Sequence, residues 1–128
     1  MKKLLVLLLI ISKIHSNSIS WLGSYDKALE IAKKEHKPIM VLLVKKNSNR
    51  CNEIIVKYLM NHKYINKLNS KYISVIITFE GRLSYPIELF YSNIFPTLFF
   101  IDSKTENFLY PPLYDKEIKI LGLIQRFK

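Results

Sequence analysis

The 128-residue chain contains a single cysteine, Cys51, and only three glycines. One thiol cannot close a disulfide within the chain, so any disulfide must be formed with another molecule. So few glycines leave no glycine-rich loop of the kind that binds phosphate groups. The acidic residues are isolated from one another, and no pair of carboxylates is spaced for acid–base catalysis. An intramolecular disulfide framework and a phosphate-binding loop are therefore excluded.

Metal-ligating residues are also sparse. The three histidines are His15, His36 and His62, and their spacing with Cys51 does not match a zinc site. A solvated or helix-capping role is the usual one for histidines near helix ends. We therefore expect neither a bound metal nor a cofactor.

No apolar run is long enough to cross a membrane, which needs about 20 apolar residues. The longest run, at the N-terminus, covers the eight residues Leu4–Ile11, preceded by Lys2 and Lys3. A small-x-small cleavage site follows, ending at Ser18 or at Ser20. This arrangement predicts a secretory signal over residues 1–20 and one domain over residues 21–128. We expect export to the periplasm of a Gram-negative bacterium, with secretion as the alternative and no membrane span after cleavage.

The chain is basic, with 20 lysines and arginines against 10 acidic residues and a formal net charge of +10. Cleavage after Ser18 removes three lysines and lowers this charge to +7. Such a charge suits nucleic acid or an anionic membrane, but export and the scattered lysines argue against nucleic acid. A polypeptide or a thiol-containing protein is the partner that we expect.

Hydrophobic periodicity predicts alternating helices and strands. A helix capped by Ser24 ends before Pro38, and the apolar strand Ile39–Val44 follows. A second helix is predicted from about Ser48 to His62, with a short helical turn at residues 65–68. The remaining predictions are strands at Tyr72–Phe79, Thr97–Ile101 and Glu106–Tyr110, one or two helical turns at Ile87–Tyr91, and a last helix from Tyr114 or Asp115. This order indicates an α/β domain of three layers, with a mixed sheet of about four strands flanked by helices.

Four segments together resemble the thioredoxin-like superfamily, over about residues 21–128. Trp21 with SYDKALEIAKKEHKPIMVLLV resembles the first helix and first core strand of exported members. SNRC lies where the family has Cys-x-x-Cys, at a junction between strand and helix. YPIELFYSNIFPTLFFID resembles the family's helix, proline loop and following strand, and a hairpin and helix complete the match.

The resemblance implies roles for individual residues. Ser48 stands at the position of the attacking cysteine, Cys51 at that of the resolving cysteine, and Pro96 at that of a cis-proline facing the active site. Two departures concern catalysis. Leu42 occupies the position where members often have a buried acid, and Phe95 precedes the proline at a position that faces the substrate.

The chemistry of SNRC depends on Ser48 and Cys51. A serine cannot form a disulfide, but it is a good N-cap for the helix that follows. Cys51 lies on the apolar face, which favours an inert buried residue, although the helix dipole and the nearby Lys45, Lys46 and Arg50 favour a reactive thiolate. Both interpretations stay open at this point.

Two functions follow. In the first, a redox-inactive chaperone-like or assembly factor holds an extended polypeptide by strand addition beside Pro96, with Phe95 and Arg50 as further binding residues. In the second, Cys51 is the catalytic residue of a monothiol exchange protein that uses an external thiol, and Ser48 only marks the lost nucleophile. Neither function uses catalysis by two cysteines of one chain, because the chain has only one cysteine.

Overall fold

The protein is described here from a computed structural model, which covers residues 18–60, 62–79, 85–86 and 88–121, without the side chains of His62 and Lys63. Most of the predicted signal and the end of the predicted last helix lie outside these residues. The regular elements are β1 (Trp21–Leu22), α1 (Tyr25–Glu35), β2 (Ile39–Val44), α2 (Asn49–Ile54), a π-helical turn (Ile55–Leu59), α3 (His62–Lys71), β3 (Ile73–Thr78), β4 (Thr97–Ile101), β5 (Leu113–Tyr114) and a 3₁₀ helix (Asp115–Ile120).

These strands form one mixed sheet in the order β1-β3-β2-β4-β5. β3 runs parallel to both β1 and β2, whereas β4 is antiparallel to β2 and to β5. β2 and β4 are buried almost throughout, which explains why their sequences are apolar without alternation. The predicted α/β fold with a mixed sheet is confirmed, with five strands instead of about four.

Two hydrophobic clusters cover the two faces of this sheet. Met40 and Leu42 of β2 belong to the cluster that includes residues of α3 and the 3₁₀ helix, together with Ile54 and Leu59. The alternate β2 residues belong to the cluster that includes the buried face of α1. Since side chains alternate across a strand, the sheet is the middle of three layers.

The second predicted helix does not run unbroken to His62. Its α-helical part ends at Ile54, and the next five residues form the π-helical turn. Ile54 and Leu59 are five residues apart and both buried, a spacing that the i→i+5 repeat of a π turn places on one face. The short helical turn expected at residues 65–68 is part of the ten-residue α3.

The strand predicted at Glu106–Tyr110 is wrong, because only Phe108 forms a bridge with Ile101. Asp102 accepts hydrogen bonds from the backbone N–H groups of Lys104 and Thr105, at 3.0 and 2.8 Å, and holds a tight turn. Glu106 then has a φ of 59°, which is incompatible with a regular strand. The antiparallel partner of β4 is β5, beyond the two prolines, with Tyr114 opposite Thr97.

The edge strand β1 was not predicted. Of the helical turns predicted at Ile87–Tyr91, Ile87 lies outside the described residues, while Leu89 and Phe90 donate to the Pro86 carbonyl as in a single helical turn. Ile19 lies inside the predicted signal but is buried in the core. Asn69 of α3 forms hydrogen bonds with Ser18 and Ser20, on either side of Ile19.

Among the described residues, no helix is both long and apolar enough to span a bilayer.

Candidate functional site

Ser48 begins α2 and is engaged in capping it. The backbone of Ser48 is extended, and its Oγ accepts the N–H of Cys51 at 3.2 Å. Its carbonyl oxygen accepts the N–H of Asn52, also at 3.2 Å. The preceding Asn47 has a φ of 58°, in the left-handed region that asparagine tolerates better than most residues. The loop after β2 thus directs the chain into α2, and the Ser48 hydroxyl satisfies a backbone donor that the helix leaves free.

Cys51 lies in the first turn of α2 and faces inward. It is a free thiol with only 2% of its surface exposed, and Ile54, one turn later on the same face, is also buried. Disulfide exchange requires a sulfur atom of another molecule to come into line with the thiolate. A buried sulfur does not offer that approach. Among the described residues, no three histidine, cysteine or acidic side chains converge as metal ligands would.

The loop before β4 contains a cis peptide bond between Phe95 and Pro96, as the family resemblance implied. Two buried hydroxyls, of Ser92 and Thr97, fix this loop. The Ser92 hydroxyl accepts the N–H of Ile94 at 3.0 Å, and the Thr97 hydroxyl donates to the Ile94 carbonyl. The loop is held by its own side chains, a feature that the sequence did not reveal.

The ring of Phe95 is engaged in packing, whereas its backbone is not engaged in a strand pairing. The ring is half-buried and packs against Phe79, with 5.1 Å between centroids, on the side of the sheet that α1 covers. Within the described residues, the N–H and C=O of Phe95 form no hydrogen bond. An unpaired donor and acceptor beside a strand end are the groups that a polypeptide adding as a strand would use.

Arg50 connects α2 to the proline loop through Asp115. Its Nε and Nη2 bond to the two carboxylate oxygens of Asp115 at 2.8 and 2.7 Å, the bidentate geometry that suits a guanidinium best. The backbone N–H of Asp115 donates to the Pro96 carbonyl at 2.9 Å. Glu53 contacts Arg50 more weakly, at 3.4 Å. The start of α2, the proline loop and the end of β5 therefore meet at one place.

Asp115 is a site residue that the sequence analysis did not identify. It was interpreted only as the start of a helix, because a contact across 65 positions leaves no local signal. The hydrogen bonds from Arg50 hold the pKa of this carboxyl below its usual value of 3.8, against a smaller opposing effect of burial. The same bonds raise the pKa of Arg50 above its already high value. Both groups are therefore charged at neutral pH.

Comparisons with known proteins identify the fold. No protein-family model and no curated protein matches the chain. Solved structures do match: one titled DsbH Oxidoreductase has a TM-score of 0.67 at 18% identity, over 90% of each chain. A thioredoxin from Thermus thermophilus has a TM-score of 0.70 at 16% identity, over 86% of each chain. The chain has a thioredoxin-like fold. A third match, to a ferredoxin:thioredoxin reductase and thioredoxin f2 complex, has a TM-score of 0.58 at 14% identity and covers 88% of this chain and 96% of that one.

Three exposed apolar side chains surround the proline loop of this thioredoxin-like fold. Tyr91 is 67% exposed, Ile94 45% and Tyr114 36%. None of them was identified as a site residue from the sequence. Tyr91 and Ile94 precede Phe95 in the chain and Tyr114 lies opposite Thr97, so the three side chains give the site an apolar rim.

We predict that Ser48→Ala lowers the free energy of unfolding by about 1 kcal/mol, because the N–H of Cys51 loses its capping acceptor. Ser48→Asp, which keeps an acceptor at the cap, should retain most of the stability. Chemical denaturation with an unchanged m-value measures the difference. An alanine variant as stable as the wild type would contradict the capping role.

We also predict a pH-dependent effect of Asp115→Asn, a change that the left-handed backbone at position 115 tolerates. Because the folded-state pKa of Asp115 is lowered, the stabilisation is complete above pH 3.8 and is lost as the pH falls through the lowered value. The wild type should therefore be more stable than the variant at neutral pH, and the difference should shrink in acid. Denaturation at several pH values, with Arg50→Gln and the double variant completing a cycle, measures it. A difference that does not change with pH would contradict the ion pair.

Proposed function

We propose that this chain is an exported thioredoxin-fold protein that binds an extended polypeptide and does not exchange disulfides. The burial of Cys51 is the observation that carries the proposal. In the family resemblance, Ser48 occupies the position of the attacking thiol, and its hydroxyl here caps α2. The degenerate Ser-x-x-Cys thus offers no accessible sulfur at either end.

The alternative, monothiol exchange by Cys51 with an external thiol, needs a sulfur that reagents and partners can reach. With 2% of its surface exposed, Cys51 behaves as a small apolar residue on the buried face of α2. The residue at position 42 also argues against thiol exchange. Leu42 is fully buried in the core, where the resemblance would expect an acid to assist proton transfer.

Polypeptide binding is supported by the rim of the proline loop. The N–H and C=O of Phe95, which form no hydrogen bond in the part of the chain that the structure describes, can pair with an extended backbone, as in other cases of strand addition. Tyr91 and Ile94 offer apolar contact immediately before it, and exposed apolar residues grouped in this way are typical of interaction sites. Pro96 and Arg50 shape the site, because both are bound to Asp115.

Export rests on the predicted signal at residues 1–20, with the periplasm as the proposed location. The burial of Ile19 and the hydrogen bond from the Ser20 N–H to Asn69 favour cleavage after Ser18, which keeps Ile19 and Ser20 in the mature domain. Cleavage after Ser20 would remove a core residue. A protein partner also suits the fold, since one solved relative is described as part of a complex with a reductase.

We predict that Cys51→Ala leaves polypeptide binding unchanged, whereas Tyr91→Ala combined with Ile94→Ala weakens it by about tenfold, or roughly 1.4 kcal/mol. The probe is a fluorescent ten-residue peptide with a central apolar segment of β-branched and aromatic residues, and its anisotropy reports binding. Both replaced side chains in the double variant are exposed, so that variant should remain folded, which circular dichroism checks.

Two results would contradict the proposal. One is loss of binding in Cys51→Ala while the protein stays folded, since it would make the sulfur part of the site. The other is equal binding by the wild type and the Tyr91/Ile94 double variant, since it would place the polypeptide elsewhere.

A further inference from the structure

We infer that the polypeptide held at this site is acidic, and that Lys45 and Lys46 bind its carboxylates. This inference rests on the proposed function and specifies the class of partner. Both lysines are exposed and directly follow β2, at the end of the sheet that carries the proline loop.

The register of the sheet brings the lysines close to Phe95. Leu43 of β2 lies opposite Thr97 of β4. Lys45 comes two residues after Leu43, and Phe95 comes two residues before Thr97, so both lie just beyond the same end of this strand pair. Neighbouring strands lie about 4.8 Å apart, and a lysine side chain extends farther than that. An extended segment paired to the backbone of Phe95 would therefore run beside the end of β2 that Lys45 and Lys46 directly follow.

The charge on this loop is not neutralised within the described part of the protein. Arg50 is engaged by Asp115 and Glu53. No carboxylate of the described residues forms an ion pair with Lys45 or Lys46. A polypeptide that supplies carboxylates here gains ion pairs without breaking any that exist.

The electrostatic field of the whole domain also favours an acidic partner. Its net charge stays strongly positive, at +7, after cleavage following Ser18. Such a field speeds the approach of an acidic partner and repels a basic one. Together with the exposed Tyr91 and Ile94, the lysines define a site for a segment that combines apolar side chains with flanking carboxylates.

The test compares three labelled peptides with the same apolar centre and with flanks of glutamate, glutamine or lysine. The glutamate peptide should bind about three- to tenfold more tightly than the glutamine peptide, in line with two exposed ion pairs, and the lysine peptide should bind most weakly. The preference should shrink as the ionic strength rises from about 0.01 M to about 0.15 M, because the Debye length falls from about 30 Å to about 8 Å.

A matched pair of variants separates local binding from overall charge. Lys45→Gln with Lys46→Gln removes two charges beside the site. Lys33→Gln with Lys34→Gln removes two exposed charges from the last turn of α1, which leads into the opposite end of β2. Only the first pair should abolish the preference for glutamate.

Each other outcome has a definite meaning. Equal affinity for the glutamate and glutamine peptides overturns this inference and leaves polypeptide binding intact. Equal losses in the two double variants also overturn it, because the field of the whole domain would then suffice. Absence of binding by all three peptides contradicts the proposed function as well. Binding to vesicles of anionic phospholipid that is lost with Lys45 and Lys46, without any peptide preference, would assign the lysines to a membrane surface instead.

Discussion

The cap that Ser48 forms on α2 determines what the site can do. By accepting the N–H of Cys51, Ser48 fixes the first residue of the helix. The helical repeat then turns Cys51 inward, onto the same buried face as Ile54. A cysteine at position 48 would offer a sulfur at the exposed end of the helix, where the dipole favours a thiolate. A serine there offers only a hydroxyl, already used by the backbone, so the sulfur that remains is the buried one.

The same end of the sheet is kept in shape by contacts distant in sequence. Arg50 connects α2 to Asp115, and Asp115 bonds to the Pro96 carbonyl. Because this ion pair is partly exposed, its contribution to the free energy of folding is small. Its main effect is on geometry, since it holds the proline loop against the start of α2. The hydroxyls of Ser92 and Thr97 complete the loop from inside. None of these contacts involves sulfur, so the shape of this end of the sheet does not depend on a second cysteine.

Local patterns in the sequence were sufficient for much of the fold. The unbroken apolar runs identified β2 and β4, and the Ser24 and Ser48 caps located α1 and α2, because these signals lie within a few residues. The predictions failed where tertiary contacts decide. The Asp102 turn and the two prolines prevent a strand at Glu106–Tyr110, so the last strand forms at Leu113–Tyr114 instead. The π turn after Ile54 depends on which face of the helix is buried in the core, and that is decided by contacts with distant residues.

The candidate site was predictable in part, for a similar reason. Ser48, Cys51, Phe95, Pro96 and Arg50 could be named from a short motif and a family resemblance. The packing of the Phe95 ring on Phe79 could not be inferred from the sequence, because this contact joins two loops. Asp115 and the exposed side chains of Tyr91 and Ile94 also depend on how the chain folds back, and periodicity carries no signal for that.

The accessibility of Cys51 tests the central claim most directly. The measurement is the rate at which a thiol-specific alkylating reagent modifies the native protein at neutral pH, compared with the rate in denaturant. We predict negligible modification of the native protein and rapid modification once it unfolds, because the sulfur becomes reachable only by opening the structure. Modification of the native protein at the rate of an unfolded thiol, together with a trappable mixed disulfide, would contradict the account and favour the monothiol function.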